Sequence, residues 1–151
     1  MAALKLIAAA GGAVLLAGAA GAASADDQLI SKPNHAQPQS LDGLQGTPWW
    51  KQLARCAGFY DSVANGYEQL GQRQPTRAAE AMGDELTAAA LARLRADRGL
   101  DDEAAVALIA PEISIGRGVG ERLWPRRNRV VSSWNIYRSQ CLDVRDVYAS
   151  R

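Results

Sequence analysis

The sequence predicts an all-α protein, a small antiparallel bundle of about four helices in which a disulfide joins the first helix to the last. In the first and last helical segments, apolar residues return every three or four positions, as on one side of an amphipathic helix. No segment shows the sustained alternation of a β-strand. Two cysteines lie on these apolar stripes. Because 48% of the 151 residues are hydrophobic, the chain can build one core.

The first 25 residues have the layout of a secretory signal peptide. Lys5 supplies a positive start, residues 6–20 are almost entirely small or aliphatic, and Ala23-Ser24-Ala25 gives a small-residue cleavage site. The run is rich in alanine and glycine, which is too weakly apolar for a membrane anchor. No later stretch has spanning length, so we expect a soluble exported protein, in the periplasm or alternatively outside the cell.

Residues 26–46 contain two prolines and no periodic apolar pattern, which predicts a flexible leader. The only histidine, His35, lies in this leader. A single helical domain is then expected over residues 47–151. Its first helix begins at Thr47-Pro48, since threonine suits an N-cap and proline suits the first helical position. Its second covers residues 75–98 and ends at Gly99.

A third helix is expected to start at residues 101–103, whose carboxylates favour a first turn. Its apolar side is predicted to be Ala105, Leu108, Ile109 and Ile113. Pro111 predicts a kink or a restart, and glycines at positions 116, 118 and 120 predict irregular chain beyond it. The last helix is expected over residues 129–149, with Asn128 as its N-cap.

Cys56 and Cys141 are predicted to form a structural disulfide. In an antiparallel bundle the first and fourth helices are neighbours, and both sulfurs lie roughly 12 Å from one end. An oxidising compartment favours the bond. Two separate buried thiols are the alternative. A catalytic redox pair is not favoured, because such cysteines are usually close in sequence.

The residue inventory argues against most chemistries, and we expect no enzyme, no cofactor and no metal site. One histidine in a leader cannot serve a formed catalytic or metal site, and there is no Cys-x-x-Cys. Without Lys5 the chain holds 16 basic and 16 acidic residues, so its overall field does not favour nucleic acid. Catalysis by carboxylates alone is the remaining enzymatic alternative, with Glu80, Asp84 and Glu85 as its candidates.

The stretch LWPRRNRVVSSW, residues 123–134, carries the main candidate site. Between Arg122 and Arg138 there are five arginines and no acid. Guanidinium groups suit phosphate or carboxylate oxygens, and a tryptophan can stack on a ligand or lie at a lipid interface. The candidate anion-binding or partner-binding residues are Arg122, Trp124, Arg126, Arg127 and Arg129.

The alternative is that this arginine cluster pairs with acidic residues at the same end of the bundle and binds no ligand. Those residues would be Glu68, Glu80, Asp84 and Glu85. At the opposite end, the same interpretation pairs residues 101–103 with Lys51, Arg55, Arg145 and Arg151.

A second candidate surface is an aromatic partner-binding patch of Trp50 and Phe59 on the first helix, because Trp50 lies off the apolar stripe. The alternative is that Trp50 covers the disulfide region. Together these features predict a small exported, non-enzymatic helical protein that binds an envelope protein. The alternative is a binder or sensor of an anionic small molecule or lipid headgroup through the arginine cluster. The sequence leaves the oligomeric state open.

Overall fold

A computed structural model describes residues 27–31, 37–125 and 132–151, and it confirms the all-α fold for that part of the chain. The four long helices are α1 (Trp49–Gln69), α2 (Arg73–Arg98), α3 (Asp102–Leu123) and α4 (Ser132–Ala149), and a short 3-10 helix (Gln39–Leu44) precedes them. The predicted signal peptide, His35, Asn128 and three arginines of the cluster (Arg126, Arg127 and Arg129) lie outside the described residues.

Helix α1 is the centre of the bundle, and α2, α3 and α4 each pack against it. Its predicted apolar stripe runs from Trp49 to Leu70 and is buried as far as Val63, whereas Tyr67 is half-buried and Leu70 is 62% exposed. Small residues on its other sides, Ala54, Ala57 and Ala64, are buried as well. Small side chains let the backbones of neighbouring helices come close. Helix α1 is therefore enclosed on three sides, by α2, α3 and α4.

The contact between α1 and α3 is a glycine-mediated backbone approach. A methyl group built at Gly116 would overlap the carbonyl of Arg55, with 2.7 Å to the carbonyl carbon. A methyl group at Gly58 would overlap the carbonyl of Ile113 in the same way. Only a residue without a side chain fits at either position. These glycines therefore hold the two helices at a distance that no other residue type allows.

The expected restart at Pro111 and the irregular chain beyond it are wrong, since α3 is continuous from Asp102 to Leu123 with Pro111 inside it. Pro111 removes one backbone hydrogen bond, the one that would reach the carbonyl of Ala107. Both residues are exposed, so water can solvate that carbonyl. The side chain of Asp101 caps the helix start by accepting a hydrogen bond from the Ala104 N–H at 2.8 Å.

The predicted disulfide is confirmed. Cys56 and Cys141 are bonded, with 5.4 Å between their Cα atoms, and both are fully buried. Phe59 follows Cys56 by three residues in α1. Its ring contacts two rings of α4, with centroid distances of 4.8 Å to Trp134 and 5.0 Å to Tyr137. The disulfide and this aromatic cluster together attach α4 to α1.

The leader, which the sequence predicts to be flexible, packs against the helical domain in its described parts, residues 27–31 and 37–46. Ile30 and Leu41 are each 1% exposed. The Ile30 N–H donates to the Thr47 carbonyl at 2.9 Å. Asp27 pairs with Arg98 at 2.8 Å between Oδ2 and Nη2, and this hydrogen-bonded guanidinium lowers the pKa of the Asp27 carboxyl. Single buried residues anchor this segment, and such isolated anchors leave no periodic signal in a sequence.

Candidate functional site

Of the five candidate residues for anion or partner binding, the structure describes Arg122 and Trp124, and these two differ in role. Arg122 is exposed in the last turn of α3. Trp124 is half-buried, and its ring meets Tyr67 at 5.3 Å and Trp134 at 5.2 Å, both edge-on. Its ring also covers Gly66. Trp124 thus packs between α1, α3 and α4. This packing role explains a tryptophan at this position without a bound ligand.

The predicted aromatic patch of Trp50 and Phe59 is not on the surface, and the expectation of an exposed patch is wrong. Trp50 is 6% exposed and Phe59 is 0% exposed. The guanidinium of Arg98 lies over the Trp50 ring at 5.3 Å. The prediction failed because it assumed that residues off the α1 stripe face solvent, whereas α1 has a neighbour on each of three sides.

The predicted pairing of residues 101–103 with Lys51 and Arg55 also differs from the observed ion pairs. Lys51 and Arg55 bind Glu112, in the middle of α3, at 3.1 and 2.7 Å, and not the carboxylates at the start of α3. The Glu112 side chain is only 12% exposed. A carboxylate that is both shielded and paired with two cations contributes little charge to the surface around it.

This pairing leaves a surface without exposed charge on α3, which we name the α3 outer face. Glu112 is the one charged residue between Glu103 and Arg117. Val106, Leu108 and Ile115 are 51%, 38% and 48% exposed, so Leu108 lies outside and not on the predicted apolar side. The exposed residues of these turns are Val106, Ala107, Leu108, Ala110, Pro111, Ser114 and Ile115.

The α3 outer face has the character of an interface. Isolated exposed apolar residues are normal on any protein, but several turns of helix without an exposed charge are unusual on a protein with 22% charged residues. The core of a protein–protein interface is depleted of charge in the same way. The signal for this face in the sequence is the low charge of this segment, since Glu112 is the one charged residue between Glu103 and Arg117.

A second candidate is a groove of about 220 Å³ between α2 and α4, with α1 as its floor. Arg138 is exposed at its side. Burial raises the pKa of the Tyr60 hydroxyl, and the nearby Arg138 opposes that shift. The residues that line the groove are Tyr60, Tyr67, Pro75, Ala78, Ala79, Met82, Arg138 and Leu142.

The groove has one charged group beside apolar walls, which suits a small molecule with an anionic end and an apolar body. Arg138 is the last arginine of the arginine-rich stretch. The second cationic neighbour of the groove is Arg145, whose Nη1 lies 3.5 Å from Sδ of Met82. Two arginine side chains therefore lie beside an apolar groove. The alternative function, binding of an anionic small molecule or lipid headgroup, requires such an arrangement.

The carboxylate candidates Glu80, Asp84 and Glu85 are all exposed on α2. Glu80 lines a mixed-charge cavity of about 340 Å³ at the turn between α1 and α2, which also contains Glu68 and Arg73. Among the residues that the structure describes, no group of three or more His, Cys, Asp or Glu side chains is placed to hold a metal ion. This arrangement gives no support to a carboxylate-based active site.

Comparison of the chain with family models, with curated proteins and with solved structures found no match. Across the described ranges, none of the helices combines the length and the apolar composition that crossing a membrane requires.

Proposed function

We propose that this protein is exported, does not act as an enzyme, and works by binding an envelope protein through the α3 outer face. The observation that supports this function is the run of exposed, uncharged turns between Glu103 and Arg117. Burying exposed apolar area stabilises a complex by roughly 25 cal/mol per Å² before the cost of association is subtracted. The α3 outer face offers this gain without the cost of desolvating a charge.

Two features support export. The Cys56–Cys141 bond is of the kind that persists in oxidising compartments. The described contacts of the leader begin at Asp27, through its ion pair with Arg98. Cleavage after Ala25 would leave that ion pair and the Ile30–Thr47 hydrogen bond intact. The proposed processing is therefore compatible with the folded domain, which begins almost directly after the cleavage site.

The chemistry of the partner follows from the face. Leu108 and Ile115 lie two helical turns apart on one side of α3 and fit an apolar helix or groove. Acidic residues, Asp101 to Glu103, lie at one end of this face and Arg122 lies at the other. We expect a partner with an apolar strip that is basic at one end and acidic at the other.

Site-specific photo-crosslinking in exporting cells tests this function. A photoreactive phenylalanine analogue at Ile115 is expected to capture a protein in a defined band, because the partner covers that position. The same analogue at Ala88, an exposed residue of α2, is the matched control and is expected to give no band. Equal labelling patterns at both positions, or none at either, would reject the α3 outer face as a binding surface.

A second candidate function, binding of a small amphipathic anion, is favoured by the groove beside Arg138. With octanoate as the probe, Arg138→Gln is expected to weaken binding about five- to tenfold, because it removes a charge-assisted hydrogen bond of about 1 kcal/mol or more. The affinity should also fall as salt rises. Arg73→Gln, at the start of α2, is the control. Titration calorimetry that shows no difference between these variants would exclude this site.

A further inference from the structure

A line of residues at alternating steps of three and four runs along α3, through the α3 outer face and beyond both of its ends. Its members are Asp101, Ala104, Leu108, Pro111, Ile115, Gly118 and Arg122. Steps of three and four average 3.5 residues, the spacing of the contact line in a pair of coiled helices. Every member is exposed or half-buried, so the described residues leave the line uncovered. The buried side of α3, from Ala105 to Gly120, is a separate line that α1 occupies.

This line is self-complementary when a second copy of α3 runs in the opposite direction. If the crossing point lies at Pro111, Leu108 of one copy lies across from Ile115 of the other. Asp101 then lies across from Arg122, and a two-fold axis makes each of these contacts twice. Apolar residues meet apolar residues in the middle, and opposite charges meet at both ends. A parallel arrangement would bring Asp101 next to Asp101 and Arg122 next to Arg122.

We infer that the partner of the α3 outer face is a second copy of this chain, bound through an antiparallel α3–α3 contact centred on Pro111. This inference rests on the proposed binding role of the α3 outer face. The expected partner has an apolar strip that is basic at one end and acidic at the other. The α3 helix of a second copy, running in the opposite direction, has such a strip.

Gly118 gives an independent reason for close helix approach. Glycine inside a helix costs about 1 kcal/mol relative to alanine. At Gly116 and Gly120 the close contact with α1 leaves no room for a side chain. Among the described residues, a methyl group built at Gly118 meets only the flexible end of Arg122, at 3.3 Å. No contact among the described residues of one copy requires glycine there. In the antiparallel pair Gly118 lies across from Ala104, and two small residues let the helix backbones approach.

The expected dimer is weak. The line covers about six turns of helix, roughly 30 Å. One helix pair of that length falls below the roughly 1,200 Å² of buried surface that stable complexes usually reach. A dissociation constant on the order of micromolar is expected. The protein therefore changes between monomer and dimer over a readily accessible concentration range.

Sedimentation velocity of the purified protein, from about 1 to about 200 µM, tests the self-association. The average mass is expected to rise toward that of a dimer. Ile115→Glu should raise the dissociation constant by at least about tenfold, because it places a charge in the apolar centre of the contact. Ala88→Glu, a matched change on α2, should have no effect. A monomer at every concentration, or equal effects of the two variants, would overturn the inference.

Cysteine cross-linking tests the direction of the pair. The double variant Leu108→Cys/Ile115→Cys should form covalent dimers under mild oxidation, because the two positions face each other across the axis. Each single variant should cross-link several-fold less, since like positions are then about 10 Å apart along the helix, beyond the reach of a disulfide. Equal cross-linking by the single variants would indicate a parallel pair and reject the proposed register.

The same experiments separate this inference from the proposed function. If the protein stays monomeric while the analogue at Ile115 captures a different envelope protein, the α3 outer face is a binding surface but self-association is wrong. If the captured band is a second copy of the chain, both stand. If neither association nor capture occurs, both fail.

Discussion

Gly116→Ala is expected to lower the free energy of unfolding by about 3 kcal/mol. Overpacking in a protein interior typically costs up to that amount when neighbouring side chains can move. Here the added methyl group meets the carbonyl of Arg55, which belongs to the backbone of the central helix. Neither α1 nor α3 can shift without disturbing its other contacts, so the cost should reach the upper end of the range.

The control is Gly118→Ala, two residues further along the same helix. It adds the same methyl group where only the flexible end of Arg122 is near. Its expected effect is a gain of about 0.5 to 1 kcal/mol, from helix propensity. Denaturant unfolding at low protein concentration measures both variants without a contribution from self-association. A stability loss of the same size in both would show that α3 does not rest on α1 as described.

Removal of the disulfide is expected to cost about 4 kcal/mol. The bond closes a loop of 85 residues, and in the chain-entropy model a loop of that size stabilises the folded state by about 4 to 5 kcal/mol. Cys56→Ala/Cys141→Ala removes the bond while leaving both positions apolar. Helix α4 then depends on Trp134, Val144 and its aromatic contacts for attachment to α1. Local detachment of α4 should therefore precede global unfolding.

Limited proteolysis followed by mass mapping locates that detachment. Early cleavage is expected within Ser132–Ala149 in the double-alanine variant and in reduced wild-type protein, while α1 to α3 stay intact. The oxidised wild-type protein should resist cleavage under the same conditions. Equal denaturation midpoints and equal cleavage patterns for the oxidised and reduced forms would contradict the role assigned to the bond.

The fold class and the disulfide were predictable because both depend on helical periodicity. The stripe through Cys56 and the stripe through Cys141 place both sulfurs on facing sides of antiparallel helices, and the structure has 5.4 Å between their Cα atoms. Periodicity survives in a single sequence because every turn of an amphipathic helix repeats the same signal.

The error at Gly116 and Gly120 has a specific cause. Intrinsic propensity disfavours glycine in a helix, so three glycines in five residues predicted irregular chain. Tertiary contact with α1 outweighs that preference, since a methyl group at Gly120 would overlap the side chain of Ser62. Glycines four residues apart are also a known signature of close helix packing, and that pattern was readable in the sequence.

The candidate surfaces were harder to predict than the fold. Trp50 and Phe59 are buried because three helices surround α1, and a single stripe does not reveal how many neighbours a helix has. The α3 outer face includes an aspartate, a proline, a glycine and an arginine in its line, so it does not resemble an apolar stripe. The low charge of this segment is visible in the sequence, but which of its sides is exposed becomes clear only once Gly116 and Gly120 show the side that α1 occupies.

The enclosure of α1 also determines how the molecule can open. Any fluctuation that brings water to a backbone amide in the middle of α1 must first displace an entire neighbouring helix, whereas the outer turns of α3 meet water directly. Slow hydrogen–deuterium exchange should accordingly concentrate in Trp49–Gln69. The molecule is therefore expected to open from its outer helices toward α1, the helix against which the other three pack.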